Sequence, residues 1–154
     1  MMSKPPTSST RLDPSMPLDP RLDAPLANGA TVRLQVPLRD EFASTVRVVV
    51  ASIGADAGFS VDDIDDLRLA VSEVFSSFDT RADHDAAVVD LAARATIGSD
   101  RTAVEIQLAA STDGVPTGAI DLDELATTII RAAVDEFGID AGVVTLVKRT
   151  DRAR

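Results

Sequence analysis

Residues 60–78 read SVDDIDDLRLAVSEVFSSF, and this stretch decides the fold. Ile64, Leu67, Val71, Val74, Phe75 and Phe78 recur at spacings of three and four, so one face of a helix is apolar while Asp62, Asp65 and Arg68 occupy the other. Ser60 followed by Asp63 is a capping-box pattern that places the helix start just after Ser60. A long helix with a single apolar stripe needs a second layer to cover it. Upstream, residues 40–57 place Phe42, Val46, Val49, Val50, Ile53 and Ala57 on a similar stripe, which predicts a preceding helix that stops between Gly54 and Gly58.

Working outward, the period changes from helical to alternating. Val32, Leu34 and Val36 alternate with Thr31, Arg33 and Gln35, the pattern of a half-buried strand. Val89, Leu91, Ala93, Ala95 and Ile97, then Val104, Ile106, Leu108 and Ala110, predict two further strands joined across Gly98-Ser-Asp100 as an antiparallel hairpin. Residues 111–120 are rich in Ser, Thr, Gly and Pro and read as a loop. Asp121 and Glu124 then predict the start of a third helix ending near Glu136, and residues 143–148 a last strand. The order strand, helix, helix, hairpin, helix, strand implies an α+β two-layer sandwich, with a mixed, mainly antiparallel sheet and helices on one face.

Six of the eight prolines fall within residues 1–28, where Leu-Asp-Pro occurs at 12–14 and 18–20. That segment reads as a flexible Pro-rich tail, residues 29–150 as the folded domain and 151–154 as a second short tail. The 154 residues carry 25 Asp+Glu against 15 Lys+Arg, a formal charge of −10, and five Phe are the only aromatics. Such a surface neither neutralises phosphates nor stacks bases, so direct nucleic-acid binding is not expected. The absence of Cys and the single His remove thiolate and histidine-rich metal chemistry, and no metal site is expected. His84, between two aspartates, is assigned no role. The chain contains no apolar run long enough to span a membrane, and the expected location is cytoplasmic.

Arg47-Val-Val-Val-Ala-Ser52, followed by Asp62-Asp-Ile-Asp-Asp-Leu-Arg-Leu-Ala-Val-Ser-Glu73 and a terminal Val144-Thr-Leu-Val-Lys148, resembles the anti-sigma factor serine kinases. These are bacterial stress-response regulators of the RsbW and SpoIIAB type, which share the ATP-binding fold of histidine kinases and Hsp90-like ATPases. The resemblance covers residues 30–148. It implies a partner that is a sigma factor or an anti-anti-sigma protein, a homodimer or mixed dimer, and ATP with Mg²⁺ as the cofactor.

The family's second helix carries Glu-x-x-x-Asn, in which the Glu polarises the accepting hydroxyl and the Asn holds Mg²⁺. The matching residues here are Glu73 and Ser77, one helical turn apart on one face. A serine hydroxyl reaches less far than an amide oxygen. The adenine-reading Asp-x-Gly-x-Gly corresponds to Asp113 and Gly114, here adjacent. The phosphate-wrapping glycines correspond to residues 123–127, DELAT, which contain none. Arg47 matches the arginine that meets protein partners, and its planar fork suits a carboxylate. These residues lead to an anti-sigma-type regulator with weak or lost ATP binding. The alternative is an ATP-dependent serine/threonine protein kinase acting on an anti-anti-sigma factor. In competing structural roles, Glu73 pairs with Arg68 or Arg47, Asp113-Gly114 is a plain tight turn, and Arg47 is a solvated helix-face charge.

Overall fold

The computed structural model describes residues 31–78, 86–117 and 120–151. The Pro-rich segment 1–28, His84 and residues 152–154 lie outside these described residues.

Strand β1 (Thr31–Pro37) leads through a 3-10 turn (Asp40–Phe42) into α1 (Ala43–Asp56) and α2 (Val61–Ser77). The hairpin β2 (Ala87–Ile97) and β3 (Arg101–Thr112) follows, then β4 (Val115–Pro116), α3 (Glu124–Ala133), β5 (Glu136–Asp140) and β6 (Val143–Asp151). The sheet runs β1-β2-β3-β6-β5, with β4 beside the end of β3. Every pairing is antiparallel, so the mixed sheet expected from the sequence is an antiparallel one. The two-layer α+β architecture is as the periodicities imply. Among the described residues no helix is long and apolar enough to cross a membrane.

Between the layers Val46 and Val50 of α1, Leu67, Val71 and Val74 of α2, and Ile130 of α3 are fully buried against Leu91, Ile106, Leu108 and Leu146 of the sheet. Ser60 caps α2 as its sequence predicts, its hydroxyl accepting the Asp63 N–H at 3.1 Å. At Gly54 the two helices approach closely: a Cβ there would sit 3.2 Å from Cγ1 of Ile64 and 3.5 Å from Cδ1 of Leu67.

Four boundaries differ from expectation. The third helix is capped by Asp123, whose Oδ1 accepts the Ala126 N–H at 2.7 Å, and not by Asp121, whose own N–H is used elsewhere. It ends at Ala133 because Val134 is extended and the chain turns into β5. That strand escapes the alternation rule because its partner relation depends on a two-residue turn, Ala141-Gly142, with φ values of 48° and 78°. The predicted loop 111–120 is partly strand: β3 continues to Thr112, and β4 folds back on it. Finally, β6 extends to Asp151, which pairs with Arg101.

Lys148 joins three elements. From β6 its Nζ donates to Asp66 Oδ2 of α2 at 2.8 Å and to the Ala133 carbonyl at the end of α3 at 2.9 Å, with Asp63 Oδ1 at 3.7 Å. Asp66 is thus an internal partner, not the solvent-facing charge that its place in the acidic run suggests. Lys148→Met keeps the aliphatic length but strands two acceptors. It is expected to cost about 1 kcal/mol, since both aspartates keep some contact with water, and urea denaturation measures it.

The two faces of β2 are unusual for such a sandwich. From Ala87 to Ala93 all seven residues are buried, whereas β3 alternates as far as Leu108.

Candidate functional site

The sequence-predicted site residues fall in three places. Arg47 lies on α1 and Glu73 and Ser77 on α2, while Asp113 and Gly114 form the β3–β4 turn.

Arg47 is half-buried and does not simply extend into water. Its Nη1 donates to Ser72 Oγ on α2 at 3.4 Å, and that hydroxyl donates in turn to the Arg68 carbonyl at 2.7 Å. The arginine is therefore braced against the neighbouring helix, which lowers the entropy cost of presenting it to a partner. Ser72 was not singled out from the sequence. The signal was present in its position directly before Glu73, where a half-buried serine in a helix interior forgoes better propensity for a hydroxyl.

Glu73 makes neither expected ion pair. Arg68 bonds Asp65 Oδ1 at 3.0 Å and Arg47 goes to Ser72, so among the described residues the Glu73 carboxylate has no cationic partner. It is half-buried, one turn before Ser77.

Ser77 sits at the last turn of α2, 7% exposed, with its hydroxyl donating to the Val74 carbonyl. Its own carbonyl accepts the Asp121 N–H at 2.9 Å, and Phe78 forms an antiparallel bridge with Ile120. The end of α2, where helix-terminal carbonyls need partners, is thus satisfied by the chain segment leading into α3.

Asp113 and Gly114 both have positive φ, 51° and 74°, and connect β3 to β4 as a two-residue hairpin turn. Thr117 secures the return, its N–H and hydroxyl both bonding the Ala110 carbonyl at 2.9 and 2.8 Å. The plain tight-turn reading of Asp-Gly fits this geometry.

The donor set can be tested against the Mg²⁺–triphosphate that the resemblance implies. Ser77 has a short side chain, buried and engaged by its own helix. The start of α3, which would face phosphates, carries Asp123 and Glu124 with Asp121 just before them. Asp123 already occupies the helix N-terminal donor that an anion would use, and its charge repels one. These residues do not fit such a group.

No family model matches the chain. Over 43 residues, 28% of the chain, it is 40% identical to the serine-protein kinase RsbW of Halalkalibacterium halodurans. The matched stretch is 26% of that protein's length. In fold the chain resembles the structure of the RsbU and RsbW domains of Rv1364c from Mycobacterium tuberculosis, with a TM-score of 0.55 and 21% identity. That likeness covers 80% of this chain and 33% of the other.

Proposed function

The chain is RsbW-like in a stretch of its sequence and in its fold, and on that premise we propose that it is an anti-sigma-type regulator of transcription. It binds a sigma factor or an anti-anti-sigma protein from the cytoplasm through a surface that includes Arg47, with ATP binding weak or lost. The observation that carries this reading is the closed end of α2, where the Asp121 N–H and the Phe78–Ile120 bridge occupy the backbone beside Ser77. A phosphoryl transfer site depends on positioning and charge neutralisation around the phosphates, and this one supplies acid where cation is needed. A braced arginine on an exposed helix serves recognition without any of that apparatus.

Two measurements test it. The purified chain is expected to form a complex with a sigma factor or an anti-anti-sigma protein in the absence of nucleotide. ATP at millimolar concentration with Mg²⁺ is expected to leave the melting temperature within about 1 °C of its value without ligand. A ligand at a hundred times its Kd would add about 2.7 kcal/mol, so tight binding could not hide.

The kinase reading rests on one feature, the Glu73 carboxylate, which has no ion pair among the described residues and lies one turn from Ser77. It requires a rise in melting temperature with ATP, and serine phosphorylation of an anti-anti-sigma partner that Glu73→Ala abolishes. The same measurement separates the two.

A further inference from the structure

At the β2–β3 end of the sandwich the strands outrun the helices. β2 and β3, 11 and 12 residues long, span about 37–41 Å, whereas α1 and α2, with 14 and 17 residues, span about 21–26 Å. Cross-strand partners share a face, so Ile97, Thr102 and Thr150 continue the inner face that carries Leu108 and Leu146 in the core. Full burial along β2 accordingly ends at Ala93, and Ile97 stands 58% exposed on a core-facing position.

This overhang and the α1–α2 turn bound a groove made of two adjoining cavities. One, of about 270 Å³, has an apolar floor of Val32, Ile53, Ala57, Ala95 and Ile97. The other, of about 480 Å³, lies between Phe59 and Ser60 at the turn and Thr102, Thr150 and Asp151 of the sheet. Asp56, Ala57 and Ile97 line both. Thr102 is 2% exposed, yet among the described residues its hydroxyl makes no hydrogen bond. It lines the larger cavity as a buried donor that lacks an acceptor.

The charge at the groove is one-sided. Asp56 is the last residue of α1, whose final turn holds no basic residue. A carboxylate at the negative end of a helix dipole is unfavourable, and among the described residues no ion pair offsets this one. The neighbouring cations are engaged, Arg94 with Glu105 at 2.7 Å and Arg101 with Asp151 at 3.2 Å. A local rule broken without an internal compensation marks a functional position.

An acid beside an apolar trough is complemented by a cation carried next to a large apolar side chain. Because Val32 and Ile97 are open to solvent, a chain segment can enter along the groove. We infer that this end of the sandwich docks a basic, apolar-anchored segment of a partner protein. A Leu, Ile or Phe of the segment fills the smaller cavity, the adjacent Lys or Arg meets Asp56, and Thr102 donates to a main-chain carbonyl in the larger one. The groove lies at the Ser60 end of α2, away from Glu73 and Ser77, and its role is independent of Arg47.

The probe is an equimolar pool of acetylated hexapeptides alternating Lys or Arg with Leu, Ile or Phe, titrated to millimolar concentration into the full chain. Amide and methyl NMR shifts are expected at Val32, Asp56, Ala95 and Ile97, while Val48 and Leu125, each 68% exposed on other parts of the surface, stay unmoved. Asp56→Asn and Ile97→Ser are each expected to weaken binding at least about tenfold, and Thr102→Val about threefold. Asp56→Asn removes an ill-placed helix charge, so its melting temperature should be unchanged or higher, which separates lost docking from lost folding. Pools with Asp or Glu in place of the cations, or Ser in place of the apolar residues, should each bind at least about tenfold more weakly.

No shifts with the basic–apolar pool, or shifts centred on Arg47 or Leu125, would overturn the inference. Affinity insensitive to either Asp56→Asn or Ile97→Ser would do the same. Equal binding of the acidic pool would remove the charge complement, and equal binding of the serine pool would reduce the contact to unspecific attraction; each overturns it.

Discussion

Phe78→Ala is expected to destabilise the domain by about 3–5 kcal/mol, the range for removing a buried aromatic ring. Phe78 is 2% exposed and has two duties. Its side chain fills the core beneath the end of α2, and its backbone forms the bridge to Ile120 that brings the segment before α3 against Ser77. Truncation leaves a cavity at the junction where α2 and the approach to α3 meet, and neither can close it without giving up the hydrogen bond from Asp121 to Ser77. For a domain of this size the melting temperature should fall by about 10–20 °C. Val115→Ala, at an exposed position of β4, should stay within about 0.5 kcal/mol of the unsubstituted protein. Circular dichroism during thermal and urea unfolding measures both. A loss below about 1 kcal/mol for Phe78→Ala would mean that the junction is not packed as described.

Arg47→Glu is expected to weaken the complex with a sigma factor or anti-anti-sigma protein about 100-fold, equivalent to about 2.7 kcal/mol. Two effects add in the same direction. Charge reversal replaces attraction to a partner carboxylate with repulsion, and the brace to Ser72 loses its donor. Arg47→Lys should fall between, since an ammonium keeps the charge but not the planar fork. Ser72→Ala, which removes only the brace, should cost about 1 kcal/mol or less in binding. Isothermal titration with purified partner gives the affinities, and an unchanged melting temperature separates lost recognition from lost folding. Affinity within twofold for Arg47→Glu would exclude this part of α1 from the interface.

The sequence made the layers legible because each long element has one apolar face. The stripe from Ile64 to Phe78 and the alternation through Val104, Ile106 and Leu108 are direct imprints of burial against a single core. Ser60 announced its helix through a local hydrogen bond, which needs no tertiary context. Where the outcome depended on partners distant in sequence, the pattern was silent. Asp121 and Asp123 are equally good caps in isolation; the choice between them is made by Ser77, more than forty residues away, which claims the Asp121 N–H. β5 is short and mostly exposed, so its residues carry no burial period, and only the turn at Ala141-Gly142 marks it.

For the candidate site, residue identities were readable and environments were not. Nothing local tells that Arg47 leans on Ser72 or that Glu73 has no cation beside it among the described residues, because both depend on how α1 crosses α2. The helical spacing of Glu73 and Ser77 fixes their shared face. It does not disclose that the carbonyl end of that helix is closed by residues 120–121. Asp66 shows the same limit, since an acidic run reads as solvated until Lys148 arrives from β6.

The missing side chain at Gly54 reaches further than its own contact. Arg47 lies seven residues earlier, two turns along the same helical face, so the glycine that lets α1 settle onto Ile64 and Leu67 also sets the height at which the guanidinium meets Ser72. The helix works as a splint pinned at one end by a hydrogen atom, with the guanidinium carried at the other. What a partner would feel at Arg47 is dimensioned at a position it never touches.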